Sequence, residues 1–120
     1  MCSATNEVKF LDINKEYVDI EDALKRIGGS MPLYKKLLAS FTGGDHIAPL
    51  EKALETGATE DASRLIHTLK GVASNLSLKK LSSVASELEH SIKDGTDHSG
   101  SLAELISVYQ TTAEEIGKIS

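Results

Sequence analysis

Of the side chains able to do chemistry, His67 is singled out by where its neighbours place it. In the segment TEDASRLIHTLKGVASNLS (Thr59–Ser77), Ala62, Leu65, Ile66, Leu69, Val72, Ala73 and Leu76 recur at helical spacing. At about 100° per residue these seven fall within roughly 60° of Leu69, and His67 then points roughly 160° away, into water. Gly71 follows one turn later on the same outer face, and Lys70 lies on a neighbouring row. A glycine inside an exposed helix costs about 1 kcal/mol relative to alanine, and an exposed histidine adds little to folding. Stability alone does not explain the pair. A bare glycine beside a solvent-facing imidazole clears room for another protein to approach the ring, and Ser63 and Ser74 keep that face flat.

The charge pattern points the same way. The chain has 120 residues and a net charge of -5, yet Ala62–Ser86 contains no Asp or Glu and carries Arg64, Lys70, Lys79 and Lys80. A basic island around a histidine in an acidic protein suits a dianionic phosphoryl group and an acidic partner site. Imidazole titrates near neutrality, and its neutral ring nitrogen is a competent nucleophile. A phosphorus–nitrogen bond is labile enough for onward transfer to a carboxylate. Lys70 is within reach of a group carried on the ring.

The elements that must position these residues read as helices throughout, since no stretch alternates strictly enough for a strand. Asp19 is an N-cap candidate for a short first helix ending at Gly28-Gly29, and Ser30 caps a second that ends at Gly43-Gly44. Asp45 is read as the cap of a third helix closed by Gly57, Thr59 as that of the motif helix, Ser77 as that of a fifth and Ser101 as that of the last. Leu102, Leu105, Ile106, Tyr109, Ala113 and Ile116 are the expected inner face of that last helix. Short connections between amphipathic helices predict an all-α fold, an antiparallel up-down four-helix bundle with a short extra N-terminal helix. Residues 1–15 are expected to form a partly ordered segment anchored by Phe10, Leu11 and Ile13, and residues 16–120 a single domain.

Other classes of function find little support. An acidic balance argues against nucleic acid as the main partner. Cys2 is the only cysteine, so no internal disulfide can form, and a reducing cytoplasm fits best. There is no apolar run long enough to span a membrane and no secretion leader, and Met1 favours a free-standing protein. No phosphate-binding glycine loop or nucleophile–base arrangement is present, and His67 has no partner at metal-ligand spacing. His46, His90 and His98 read as surface or loop residues.

The string His67-Thr68-Leu69-Lys70-Gly71, with the small residues and Leu76 that follow, resembles the H-x-L-K-G signature of histidine-containing phosphotransfer domains. The stretch DIEDALKRIGGSMPLYKKLLASF resembles the first two helices of that family, and the likeness runs from about Asp19 to Ile116. It implies that His67 is the phosphoacceptor, that Lys70 stabilises the phosphoryl group, and that Gly71 sits at the face where receiver domains dock. Arg64, Ser74 and Lys79 are further docking candidates on that surface. It also implies partners that are response-regulator receiver domains, including those of hybrid sensor histidine kinases, with no autokinase activity and no cofactor in this chain. The divalent metal for transfer would sit in the receiver. Ser77 departs from the family, many of whose members have glycine shortly after the motif helix. The expected protein is a monomeric, cytoplasmic phosphorelay intermediate; the alternative is a helical adaptor that binds signalling proteins without carrying phosphate.

Overall fold

The computed structural model describes residues 13–119, which form six helices and no strand. They are α1 (Ile20–Arg26), α2 (Met31–Gly43), α3 (Ala48–Glu55), α4 (Thr59–Asn75), α5 (Lys79–Asp94) and α6 (Ser99–Gly117). The first two start where the sequence places caps. The Asp19 carboxylate accepts from the Asp22 amide at 3.1 Å, and the Ser30 hydroxyl accepts from the Leu33 amide at 3.3 Å. Ahead of α3 the N-cap is Ile47 and not the expected Asp45, whose carboxylate instead accepts from the amides of Ile47 and Ala48 at 3.0 and 3.1 Å in the turn before the helix.

Three further expected caps are displaced. Thr59 is the first residue inside α4 rather than its cap. Ser101 lies inside α6, which begins two residues earlier, where Asp97 accepts from the Ser99 amide at 3.0 Å. Ser77 does not cap α5; it closes α4. Its φ of 57° is left-handed, the only such value at a non-glycine residue among those described. The Leu78 amide bonds the Ala73 carbonyl at 2.8 Å and the Ser77 amide bonds Ser74 at 3.2 Å, the two hydrogen bonds of a Schellman motif. A side chain there costs about 1–2 kcal/mol. Two contacts offset it: the Ser77 hydroxyl donates to Asp22 Oδ2 at 2.6 Å, and its carbonyl accepts from the Asp19 amide at 3.0 Å. Ser77 thereby fastens α1 onto the α4–α5 turn.

The helices pack as a bundle in which α3 lies on α4, α4 on α5 and α5 on α6. The pairs Ser74–Ser82 and His67–Glu89 step away from the turn in opposite senses along the chain, so α4 and α5 run antiparallel. Ala62, Ile66, Leu69, Ala73 and Leu76 of α4 are buried against Leu81, Val84, Ala85, Leu88 and Ile92 of α5 and Leu105, Val108 and Ile116 of α6. Tyr34 brings α2 into this core; its buried phenol donates to the Leu76 carbonyl at 2.8 Å, and burial pushes its pKa up. The inner face of α6 is rotated from the expected one. Ile106, Tyr109 and Ala113 are only half-buried, while Val108, Thr112 and Glu115 face inward. Thr112 satisfies its hydroxyl on the Val108 carbonyl at 2.7 Å, and Glu115 accepts from the Asn14 amide at 2.7 Å and pairs with Lys118. Ile13 is buried as expected, whereas Phe10, Leu11 and Cys2 lie outside the described residues.

Candidate functional site

The apolar stripe of α4 turns the His67 side chain outward, and 71% of it is exposed. Its Nδ1 lies 2.9 Å from Glu89 Oε2, a contact across the α4–α5 groove. Glu89 is the residue that sequence reasoning missed. It sits on the inner stripe of α5, four residues after Ala85 and three before Ile92, and only 7% of its side chain is exposed. A buried carboxylate needs partners. It has Lys70 Nζ on Oε1 at 2.9 Å, His67 on Oε2, and Lys93 Nζ 3.8 Å from Oε2.

The carboxyl pKa of Glu89 is held below the usual value, first by the Lys70 hydrogen bond, with His67 and the charges of Lys70 and Lys93 adding to it against the opposing effect of burial. Glu89 is therefore an anion at neutral pH and can only accept. That fixes the tautomer of His67: the proton resides on Nδ1, and the neutral ring carries its lone pair on Nε2, directed away from Glu89. A carboxylate–imidazole pair with an exposed second nitrogen orients a nucleophile.

Two features of the sequence carried this signal. An acidic residue on an otherwise apolar helical stripe is one. The other is the antiparallel register, which brings residues equally distant from the α4–α5 turn together, His67 opposite Glu89. The region is consequently not purely basic in space, because α5 contributes a carboxylate to the floor beneath the island.

The structure brings His67 and Lys70 together through Glu89. Gly71 is exposed on the outer face one turn along, and a Cβ built there would meet nothing within 4 Å. The glycine is not required by packing inside this chain. Ser74 is engaged across the helix pair, its hydroxyl 2.7 Å from that of Ser82. Arg64 extends into solvent and pairs with Asp61 at 3.0 Å. Lys79 pairs with Asp19 at 2.8 Å near the first helix, and that contact lowers the Asp19 pKa. Neither Arg64 nor Lys79 shares the Glu89 network. Among the described residues no group of three His, Cys, Asp or Glu side chains could hold a metal, and no helix is long and apolar enough to cross a membrane.

Neither a curated protein nor a solved structure matches the chain. A family model does: that of the Hpt domain matches residues 41–116, from the end of α2 almost to the end of α6. The match spans more than half of the chain and contains the whole site, and it leaves out α1 and most of α2. Members of that family are phosphotransfer modules of two-component signalling that interact with receiver domains and are not autokinases. With an outward histidine on a bundle helix and a family match running across it, the chain belongs to the Hpt domain family.

Proposed function

We propose that residues 16–120 act as one phosphorelay domain that accepts a phosphoryl group on His67 from a receiver-domain aspartate and passes it to a second receiver. The observation that carries this reading is the His67–Glu89 contact, which engages Nδ1 and so puts the lone pair of the neutral ring on Nε2, in an exposed side chain on a helix face cleared by Gly71. In the uptake step the Nε2 lone pair forms the bond to phosphorus. The bond from phosphorus to the aspartyl oxygen breaks, and the aspartate leaves as a carboxylate with the electron pair. The Nδ1 proton stays in place, so the ring becomes a cation facing Glu89. On release the order reverses: a carboxylate attacks phosphorus, and the N–P electrons return to a ring that is already protonated at Nδ1. That ring is a good leaving group. Glu89 therefore serves both directions, orienting the nucleophile and stabilising the cation it becomes.

Gly71 and the neighbouring α4 surface form the docking face in this reading, with Arg64, Ser74 and Lys79 at its margins. The protein works as a cytoplasmic monomer and draws its phosphoryl group from partners, among them receivers of hybrid kinases. The test is incubation of the full chain with a phosphorylated receiver domain, followed by intact-mass analysis and acid treatment. An acid-labile adduct that is missing in His67→Gln is expected. If no adduct forms with any of several receivers, or if the adduct survives in the variant, the reading fails and a phosphate-free adaptor takes its place.

A further inference from the structure

Side-chain hydrogen bonds cross the α4–α5 groove at two levels. His67 Nδ1 meets Glu89 Oε2 at 2.9 Å, and nearer the turn the Ser74 and Ser82 hydroxyls lie 2.7 Å apart, one donating to the other. The two levels share one register. Seven positions separate His67 from Ser74 on α4, and seven separate Ser82 from Glu89 on α5. Seven residues make two helical turns, so both pairs lie along one seam, about 10 Å apart. Between them stand Gly71 and Ala85, equally far from the turn, which have no polar side chain to grip the facing helix. Both serines are half-buried, and alanine would be the better helix former at either position. Helix stability alone does not explain them.

Building on the phosphotransfer reading, we propose that Ser74 and Ser82 are positioning residues whose hydrogen bond sets the helix spacing at which Glu89 reaches His67. The apolar contacts beneath the seam do not fix that spacing as closely. Ala73, Leu81, Ala85 and Leu88 are buried there, and burial of apolar surface is non-directional. A seryl hydroxyl stands one carbon from the backbone, so two of them meet only when the helices are at one separation. Opening the groove by about 1 Å takes both pairs beyond hydrogen-bond length. The Nδ1 proton then has no carboxylate to hold it, and the tautomer with the proton on Nε2, which is not a nucleophile, becomes accessible. Lys70 does not supply the same restraint, because its long, flexible stem can follow Glu89 as the groove opens.

The experiment is a double-mutant cycle on the full chain: wild type, Ser82→Ala, Glu89→Ala and the two together. It reads two quantities. One is the rate of phosphoryl uptake from phosphoramidate, a donor that needs no docking face. The other is the ring tautomer of His67, followed by nitrogen NMR at a pH where the ring is neutral. Ser82→Ala is expected to slow uptake about three- to tenfold and to raise the fraction of rings protonated on Nε2, with urea stability little moved. In the Glu89→Ala background the same substitution is expected to change neither quantity. If Ser82→Ala leaves both at their wild-type values, or slows uptake equally in the two backgrounds, the serine pair is packing alone and the proposal is wrong. The two readings fail separately. An absent adduct on the wild-type chain would strike the phosphotransfer reading, while the tautomer would still report whether the serines act through Glu89.

Discussion

Two histidines of this chain, His67 on α4 and His46 before α3, each place one ring nitrogen against an oxygen, and the resemblance ends there. His67 uses Nδ1, on a carboxylate, and leaves Nε2 in water. His46 uses Nε2, 3.2 Å from the carbonyl of Phe41 at the end of α2. Its ring stacks on Phe41 at a centroid distance of 4.8 Å with Tyr109 tilted against both, and Tyr109 donates to the Gly44 carbonyl at 3.4 Å. In the first region the protein supplies a charge and withholds contact. In the second it supplies contact, and the ring N–H closes a helix end. Chemistry at a histidine is thus set by which nitrogen is engaged, by what, and how much of the ring remains uncovered.

The largest test of this contrast is Glu89→Gln. An amide can still accept from Nδ1, but it cannot stabilise the ring cation, and its NH2 group faces Lys70. Phosphoryl uptake by the variant should slow by about 10- to 100-fold, measured by rapid quench against one phosphorylated receiver, with His67 still the site of the adduct. A rate within twofold of wild type would mean that the exposed ring suffices and that Glu89 is merely structural. The substitution also carries a pH signature. The Glu89 pKa is depressed in the fold, so its ionised contacts add stability that is fully present above the pKa of an unfolded glutamate and is lost as pH falls through the lower, folded value. Wild type should therefore lose stability in acid more steeply than Glu89→Gln, which has no such group to protonate. Parallel acid-unfolding curves would contradict this.

A smaller effect is expected at Gly71. Its surroundings are open, and it lies mid-helix, so Gly71→Ala should raise stability by about 0.5–1 kcal/mol. Gly71→Leu should also fold, yet obstruct the face beside His67, slowing transfer from a receiver by about tenfold. Uptake from a small phosphodonor such as phosphoramidate should be unaffected by either. Equal slowing with both donors would place the fault in the ring's environment and remove Gly71 from the docking face.

The sequence spoke clearly where one helix decides the outcome and poorly where two must meet. The exposure of His67 follows from seven apolar residues of α4 and needs no partner. Ser30 and Asp19 cap as read because capping is local. Glu89 went unseen because its role exists only across the α4–α5 groove, although its place on an apolar stripe marked it. Ser77 misled for a related reason. Serine before a helix reads as a cap, but here the residue is drawn into a left-handed turn by Asp22 and Asp19, which stand more than fifty positions earlier. The rotation of α6 has the same origin: Thr112 and Glu115 look like surface residues until the Val108 carbonyl and the Asn14 amide satisfy them. Polar side chains that find buried partners break the link between residue type and burial on which periodicity relies.

The smallest functional effect should come from the other histidine. His46→Ala removes a stacked ring, worth about 0.5–1.5 kcal/mol, and a hydrogen bond to a helix-end carbonyl, worth about 0.5–1.5 kcal/mol. The site is half-buried, so water takes over part of the carbonyl's bonding and the loss should total about 1–2 kcal/mol in urea unfolding. His46 spends its Nε2–H on the Phe41 carbonyl and stacks its ring on Phe41 away from the α4–α5 groove, so phosphoryl uptake should stay within twofold of wild type at a temperature where the variant is folded. His46→Phe sharpens the point: it keeps the stack and loses only the hydrogen bond, and should recover about half of the lost stability. A variant that slowed uptake while remaining folded would show that the region around α2 and α3 reaches the acceptor site, and the division between a packing histidine and a reacting one would have to be redrawn.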